Sequence, residues 1–227
     1  MLTDNLLAYW KLDNDYTDAG GGWLTLTPYN SPSFAAGKIN QAIQLVTGNH
    51  QYLKPGGTLG LNHATPFSIS FWFKLSSNPA TNNRWILWWD ALSGSGYFGC
   101  EIYNDGTHTY MDWSGVDNWY QKNFNDGQWH HVVCTTNGSN NSQLYIDGVK
   151  MTFGYQALPT NGGDSAGFQV GSSVGDNHYL DGLMDEFGVW TRQLSDAEAS
   201  FLYNAGNGIA YPFVAAGGKG NMLALMM

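Results

Sequence analysis

The chain has 227 residues, of which 43% are hydrophobic and 15% aromatic but only 12% charged; that is about half the usual charged share and excludes a disordered chain. Nine Lys and Arg against eighteen Asp and Glu give a net charge of −9. A basic groove for phosphate backbones cannot be built from so few cations, so neither nucleic acid nor an anionic membrane surface is an expected partner. The longest apolar runs, Trp85 to Trp89 and Met222 to Met227, fall far short of the roughly 20 residues that span a bilayer, which excludes helical membrane insertion. The opening MLTDNLLAYW has neither a basic n-region nor an apolar h-region. It predicts no signal peptide and a chain made in the cytoplasm.

Taken in chain order, the predicted elements are almost all strands. Phe67, Ile69, Phe71, Phe73 and Leu75 alternate with Ser68, Ser70, Trp72 and Lys74, which predicts a strand with one buried face. In Trp85-Ile86-Leu87-Trp88-Trp89 every residue is apolar, so period two leaves Trp88 or Trp89 pointing outward. Residues 129–136 form a further strand, on which His130 and His131 point to opposite faces. Gln143 to Ile146, Asp147-Gly148 and Val149 to Phe153 read as a hairpin with a type I′ turn. Residues 166–171 and 183–190 predict two more strands. Turn-forming residues recur every 8–15 positions, the rhythm of a sandwich or jelly roll. The one helix begins at the capping box Ser195-Asp196-Ala197-Glu198 and stops near Gly206. Cys100 and Cys134 sit in apolar strand text with metal-site spacing absent, so they read as inert buried thiols or as one bridge between two strands.

Four segments in order resemble the laminin-G-like, concanavalin A-like jelly-roll domains over residues 5–208. AYWKLDNDYTDAGGG (8–22) resembles the family's opening, FSISFWFKL (67–75) its first long strand, WHHVVCTTNGSNNSQLYIDGVK (129–150) its hairpin, and DGLMDEFGVWTRQLSDAEASFLY (181–203) its ending. The resemblance implies an all-β antiparallel sandwich jelly roll with one short C-terminal helix. It divides the chain into a domain of residues 1–208 and a C-terminal docking tail, 209–227. It also implies a non-catalytic binding module, in many family members with one structural calcium ion. Here Asp18 stands at the N-terminal loop carboxylate and Asp185 and Glu186 at the C-terminal acidic pair, so these three are the expected calcium ligands. The departure is Ala19-Gly20-Gly21, which lacks the family's side-chain oxygens. The competing expectation is that Asp18 caps a turn and Asp185 accepts a backbone amide.

The aromatic belt between residues 85 and 119 is the candidate binding surface. Trp88, Trp89, Trp113 and Trp119, with Asn118 beside them and Tyr103, Tyr110 and Tyr120 interleaved, suit the apolar C–H faces of a glycan or host-surface polysaccharide, or a protein contact; packing is the competing reading. Catalysis is not expected. Glu101 and Asp112 could flank a hairpin as an acid pair, but the family's glucanase motif, a nucleophile elbow and a phosphate loop are all missing. Past a glycine-rich hinge, Met222, Leu223, Leu225 and Met226, with Phe213 upstream, form an apolar end expected to dock on a partner protein or sister subunit. These features predict an adhesion module displayed on a particle such as a phage virion, the alternative being a structural decoration protein with no glycan binding.

Overall fold

The computed structural model describes residues 1–62, 64–92, 97–114, 118–139, 141–152, 165–173 and 178–214. Strands follow in chain order as β1 (Leu6–Trp10), β2 (Leu26–Tyr29), β3 (Ser33–Ala36), β4 (Gln41–Leu45), β5 (Tyr52–Pro55), β6 (Phe67–Leu75), β7 (Asn83–Leu92) and β8 (Tyr97–Asn104). They continue as β9 (Thr109–Ser114), β10 (Asn118–Gln121), β11 (His130–Thr136), β12 (Ser142–Ile146), β13 (Val149–Lys150), β14 (Ser165–Val170) and β15 (Gly182–Trp190). The single α-helix among the described residues, α1, spans Asp196–Tyr203.

Two antiparallel sheets face each other. The first has the order β13-β12-β11-β6-β15-β4-β3, with β1 also on β15; the second is β10-β9-β8-β7-β14-β5-β2. In the first sheet β15 is shared along one edge. Its Gly182, Leu183 and Met184 pair with β4, and Phe187 to Trp190 pair with β1. The handover falls on Asp185-Glu186, where the register against β6 slips and Glu186 has φ 51°. A bulge of this kind re-aims two side chains at the point where one partner strand leaves and another arrives.

The core fills the space between the sheets. Phe67, Ile69, Phe71 and Phe73 of β6 meet Trp88, Trp113 and Phe168 from the second sheet. Phe71 stacks on Phe187 with centroids 5.3 Å apart, and Trp88 on Phe168 at 5.7 Å. The expectation of one buried face for β6 is corrected: Ser68, Ser70 and Trp72 are buried as well. A second apolar cluster lies on the outer side of the first sheet, where Leu194, Ala199, Leu202, Ile209 and Phe213 pack with Tyr9, Tyr145 and Trp190. Two hydroxyls under this cover are satisfied locally. Ser68 and Thr135 share a hydroxyl contact, and both accept the Leu194 amide.

This cover also moves the domain boundary. Phe213 is 9% exposed, with its ring 5.2 Å from Tyr9 and 6.1 Å from Trp190. The folded body therefore runs past residue 208 through Phe213, and Phe213 is a packing residue of the domain rather than part of a docking tail. Met222, Leu223, Leu225 and Met226 lie outside the described residues. The capping box forms as expected, with Glu198 N–H donating to Ser195 Oγ and Ser195 N–H to Glu198 Oε2. The α-helix caps at Asn204 (φ 49°) and a 3-10 turn over Asn204–Gly206 follows, close to the expected stop. Asp147 and Gly148 both have positive φ, 52° and 75°, as a type I′ turn requires. The strand after that turn has only two residues, and Phe153 lies outside the described residues.

Candidate functional site

At the end of the second sheet nearest the β8–β9 turn, strands β7 to β10 alternate between core and outer face. Trp85, Ile102, Met111 and Tyr120 stand opposite one another in register and belong to the core side. The next row toward the turn, Arg84–Tyr103–Tyr110–Gln121, occupies the outer face, because neighbours along a strand point to opposite sides. Arg84, Tyr103 and Tyr110 are half-buried and Gln121 is exposed. The Arg84 guanidinium lies 5.6 Å from the Tyr103 ring centre. Tyr110 donates to Asp105 (3.1 Å) and meets His108 edge-on at 5.9 Å.

Beside this row the β8–β9 turn opens onto a cleft of about 460 Å³, lined by Asn78, Asn104, His108, Gln121, Lys122 and Asn123 among others. Its walls are held by backbone-directed bonds. Asn104 Nδ2 donates to the Pro79 carbonyl (2.7 Å), and Thr109 Oγ1 to the Lys122 carbonyl (2.8 Å). The one ammonium in the lining is engaged: Lys122 Nζ donates to Asp147 Oδ2 at 2.7 Å. Burial works against the Asp147 charge, but hydrogen bonds from His130 and Lys122 win and hold its carboxyl well below the usual range. The cleft thus presents carboxamides and hydroxyls with its cation already paired.

One row deeper on the same face, Glu101 and Asp112 stand directly opposite each other. Glu101 receives Arg84 Nη1 at 3.0 Å. Burial, opposed by Arg84 and aided by Asp112, pushes its carboxyl up to about 7. The two are only 1% and 6% exposed, so they are closed off from solvent rather than flanking an open cleft as a hydrolytic pair must.

The predicted tryptophan platform is corrected. Trp88 and Trp113 are both 0% exposed and lie between the sheets, so neither offers a face to a ligand. Trp88 turns inward where the register shifts between Ile86 and Trp88. The extra residue lets Leu87 and Trp88 both join the core. The side chains of Trp89, Asn118 and Trp119 lie outside the described residues. Tyr103 and Tyr110 of the same belt provide a half-buried aromatic row on the outer face. Another surface aromatic group, Tyr29 on Tyr52, is stacked on itself (4.5 Å, 5°), which occupies one face of each ring.

The expected calcium ligands do not assemble. Asp18 Oδ1 accepts three amides, from Tyr9, Gly20 and Gly21 (2.9–3.1 Å), which is a turn cap. Asp185 Oδ2 accepts the Ile39 amide at 2.9 Å, and Glu186 Oε2 accepts the Tyr9 hydroxyl at 2.6 Å. Each retains a second, buried oxygen without a protein partner, as a cation ligand would. The length of Tyr9, however, separates Asp18 at its amide from Glu186 at its hydroxyl. Among the described residues no group of three or more His, Cys, Asp or Glu is arranged to hold a metal ion. Burial, together with the neighbouring acids, raises Asp185 to about 8; burial and Asp13 raise Glu186 to about 7. His131, on the opposite face from His130, contacts Ser70 at 2.9 Å and is held neutral by burial, its pKa lowered to about 3. No described helix is long and apolar enough to cross a membrane.

Comparison with known proteins places this architecture. No curated protein matches the sequence. Domain 4 of the Geobacillus stearothermophilus extracellular arabinanase AbnA, solved with arabinotriose, superposes with TM-score 0.67 at 20% identity, covering 86% of this chain and 97% of that one. The binding domain of Paraclostridial Mosquitocidal Protein 1 aligns with TM-score 0.66 at 18% identity over 90% of this chain. A botulinum neurotoxin DC binding domain solved with SialylT gives TM-score 0.64 at 15% identity over 90%. The chain spans only about half of each toxin binding domain, 53% and 52%. At these identities the likeness is one of fold. The family model described as concanavalin A-like lectin/glucanases superfamily, Laminin_G_3, matches residues 47–200, and the chain belongs to that family.

Proposed function

We propose that this domain is a non-catalytic glycan-binding module whose ligand lies across Tyr103 and Tyr110 and places its hydroxyls in the amide-lined cleft beside them. The observation that carries this reading is the adjacency of a half-exposed tyrosine row to a cleft of carboxamides. A pyranose or furanose ring has apolar C–H patches that suit an aromatic face, and hydroxyls that suit groups able both to donate and to accept. Because Lys122 is already paired with Asp147, the cleft favours a neutral sugar over a carboxylated or phosphorylated one. Solved relatives of the same fold carry arabinotriose or SialylT, which supports the ligand class. The buried state of Glu101 and Asp112 supports binding without hydrolysis.

Display on a particle surface such as a phage virion, with the residues beyond Val214 as the docking segment, is the second part of the reading. It rests on the apolar Met222 to Met227 sequence. Glycan-array binding of the purified chain, compared with Tyr110→Ala, tests the first part. Binding to neutral glycans that falls by about tenfold or more in the variant is the expected result. Silence of a folded protein on the array would favour the structural decoration role instead. Deletion of 215–227, which leaves Phe213 in place, tests the second part: the domain should stay folded and lose incorporation into particles.

A further inference from the structure

Lys122 lines the cleft and is tied through Asp147 to a buried charged cluster centred on His130 of β11. The His130 side chain is nearly closed off from solvent, with the Phe73 and Phe124 rings packed on the imidazole at 5.8 and 5.3 Å. Its Nδ1 lies 2.9 Å from Asp147 Oδ2 and its Nε2 lies 3.1 Å from Asp126 Oδ1. The other charged group facing the ring is Lys122, whose Nζ is 3.4 Å from Nδ1 and 2.7 Å from the same Asp147 oxygen. A carboxylate oxygen can only accept, and a neutral imidazole has one N–H where an imidazolium has two. A ring with both nitrogens on carboxylates is therefore fully satisfied only when it carries the second proton. The two carboxylates belong to different segments. Asp126 lies in the connection from β10 to β11, which begins at the cleft residues Lys122 and Asn123, and Asp147 lies in the β12–β13 turn. From this arrangement we infer that His130 is a proton-operated latch, a positioning residue that fastens the 122–128 connection to the β12–β13 turn while its ring is charged and releases Asp126 when the ring is neutral. Its effect on ligand binding rests on the reading of the cleft as the ligand site; the latch itself does not.

Which carboxylate is released follows from their surroundings. Asp147 also accepts from the Lys122 ammonium and from the His131 amide (3.0 Å), and its side chain is 22% exposed. Asp126 accepts the Gln128 amide (2.9 Å) and is 40% exposed, so water replaces the ring there at less cost. The neutral ring keeps its one N–H on Nδ1 toward Asp147, and the lone pair left on Nε2 repels Asp126. The proton passes to solvent. Both carboxylates are charged at mildly acidic pH. Burial works against the Asp126 charge, but bonds from the Gln128 amide and His130 outweigh it and hold its carboxyl below the usual range, as Asp147 is held.

The test is nitrogen NMR of the full-length chain at pH of about 5.5 and about 9, on either side of an unperturbed imidazole. The expected result is a His130 ring protonated on both nitrogens at the lower pH and on Nδ1 alone at the higher. Amide protection over residues 125–128 should fall by about tenfold between the two, as for the loss of one charge-assisted hydrogen bond. A carboxamide can accept from the charged ring and donate to the neutral one, so Asp126→Asn should keep the segment protected at both pH values. A ring with a single proton at the lower pH, a proton on Nε2 at the higher, or unchanged protection over 125–128 would overturn the latch. Affinity for a neutral glycan found on the array should be several-fold weaker at the higher pH, and level in Asp126→Asn. Equal affinity of the natural chain at both pH values would overturn the latch's effect on the cleft. Absence of all glycan binding would count against the cleft as the ligand site, while the ring nitrogens and the amides still decide the latch.

Discussion

The outer faces of the two sheets contrast. On the first sheet the outer face is sealed: α1 and the segment through Phe213 cover Tyr9, Tyr145 and Trp190, and the Tyr9 and Tyr145 hydroxyls find carboxylate partners in Glu186 and Asp196. On the second, the row Arg84–Tyr103–Tyr110–Gln121 stays partly open and borders a polar cleft. Both faces are rich in aromatic and hydrogen-bonding side chains. The difference is whether another part of the chain has already taken the ring faces and the donors, so composition alone does not separate a packing surface from a binding surface.

The largest expected effect comes from a core indole. Trp113→Ala removes a fully buried side chain between the sheets and should cost about 3–5 kcal/mol, read by chemical denaturation. Tyr110→Ala, on the open row, should cost less than about 1 kcal/mol of stability while weakening glycan binding. Comparable stability losses in both variants would erase the contrast between the faces.

A second effect concerns pH. Asp185 and Glu186 have folded values of about 8 and 7, above those of the unfolded chain, so the folded state holds more protons in the interval between. Their contribution is present below the ordinary carboxylate range and is lost as pH rises through 7 to 8. Glu198 is opposite in sign. Burial is outweighed by its bonds with Arg192 and Ser195, which hold it down to about 2, so its contribution is lost as pH falls from about 4.5 toward 2. The melting midpoint should therefore peak near mildly acidic pH and decline toward pH 8.5. Glu186→Gln should flatten the alkaline decline. Because Asp18 does not join Asp185 and Glu186, millimolar calcium should leave that decline unchanged. A calcium-dependent rise of several degrees would show that the buried unpartnered oxygens do gather an ion.

The smallest effect is at the helix start. Ser195→Ala deletes the side-chain half of the capping box and should cost about 1 kcal/mol, loosening the cover on the first sheet without touching the open row on the second.

The fold was largely legible because its signals are local. Alternation marked β6, Asp147-Gly148 marked a hairpin turn, and Ser195 with Glu198 marked the helix start. The burial of both faces of β6 was not legible, because the residues that cover it lie more than a hundred positions downstream. The site was legible only as a region. Which aromatic points outward depends on a bulge after Ile86, and nothing in an unbroken apolar run announces a bulge. The acidic residues misled for a similar reason. Asp18 and Glu186 contact opposite ends of Tyr9, so nearness in the fold did not bring their oxygens together.

The central claim is that the ligand lies on the tyrosine row and cleft of the second sheet. Amide hydrogen exchange of the full-length protein, with and without a neutral glycan identified on the array, tests it most directly. The account predicts ligand-induced protection concentrated in residues 103–110 and 120–123, with the covered face of the first sheet unchanged. Protection confined to other segments, such as the Tyr29 and Tyr52 stack, with residues 103–123 unaffected, would contradict it.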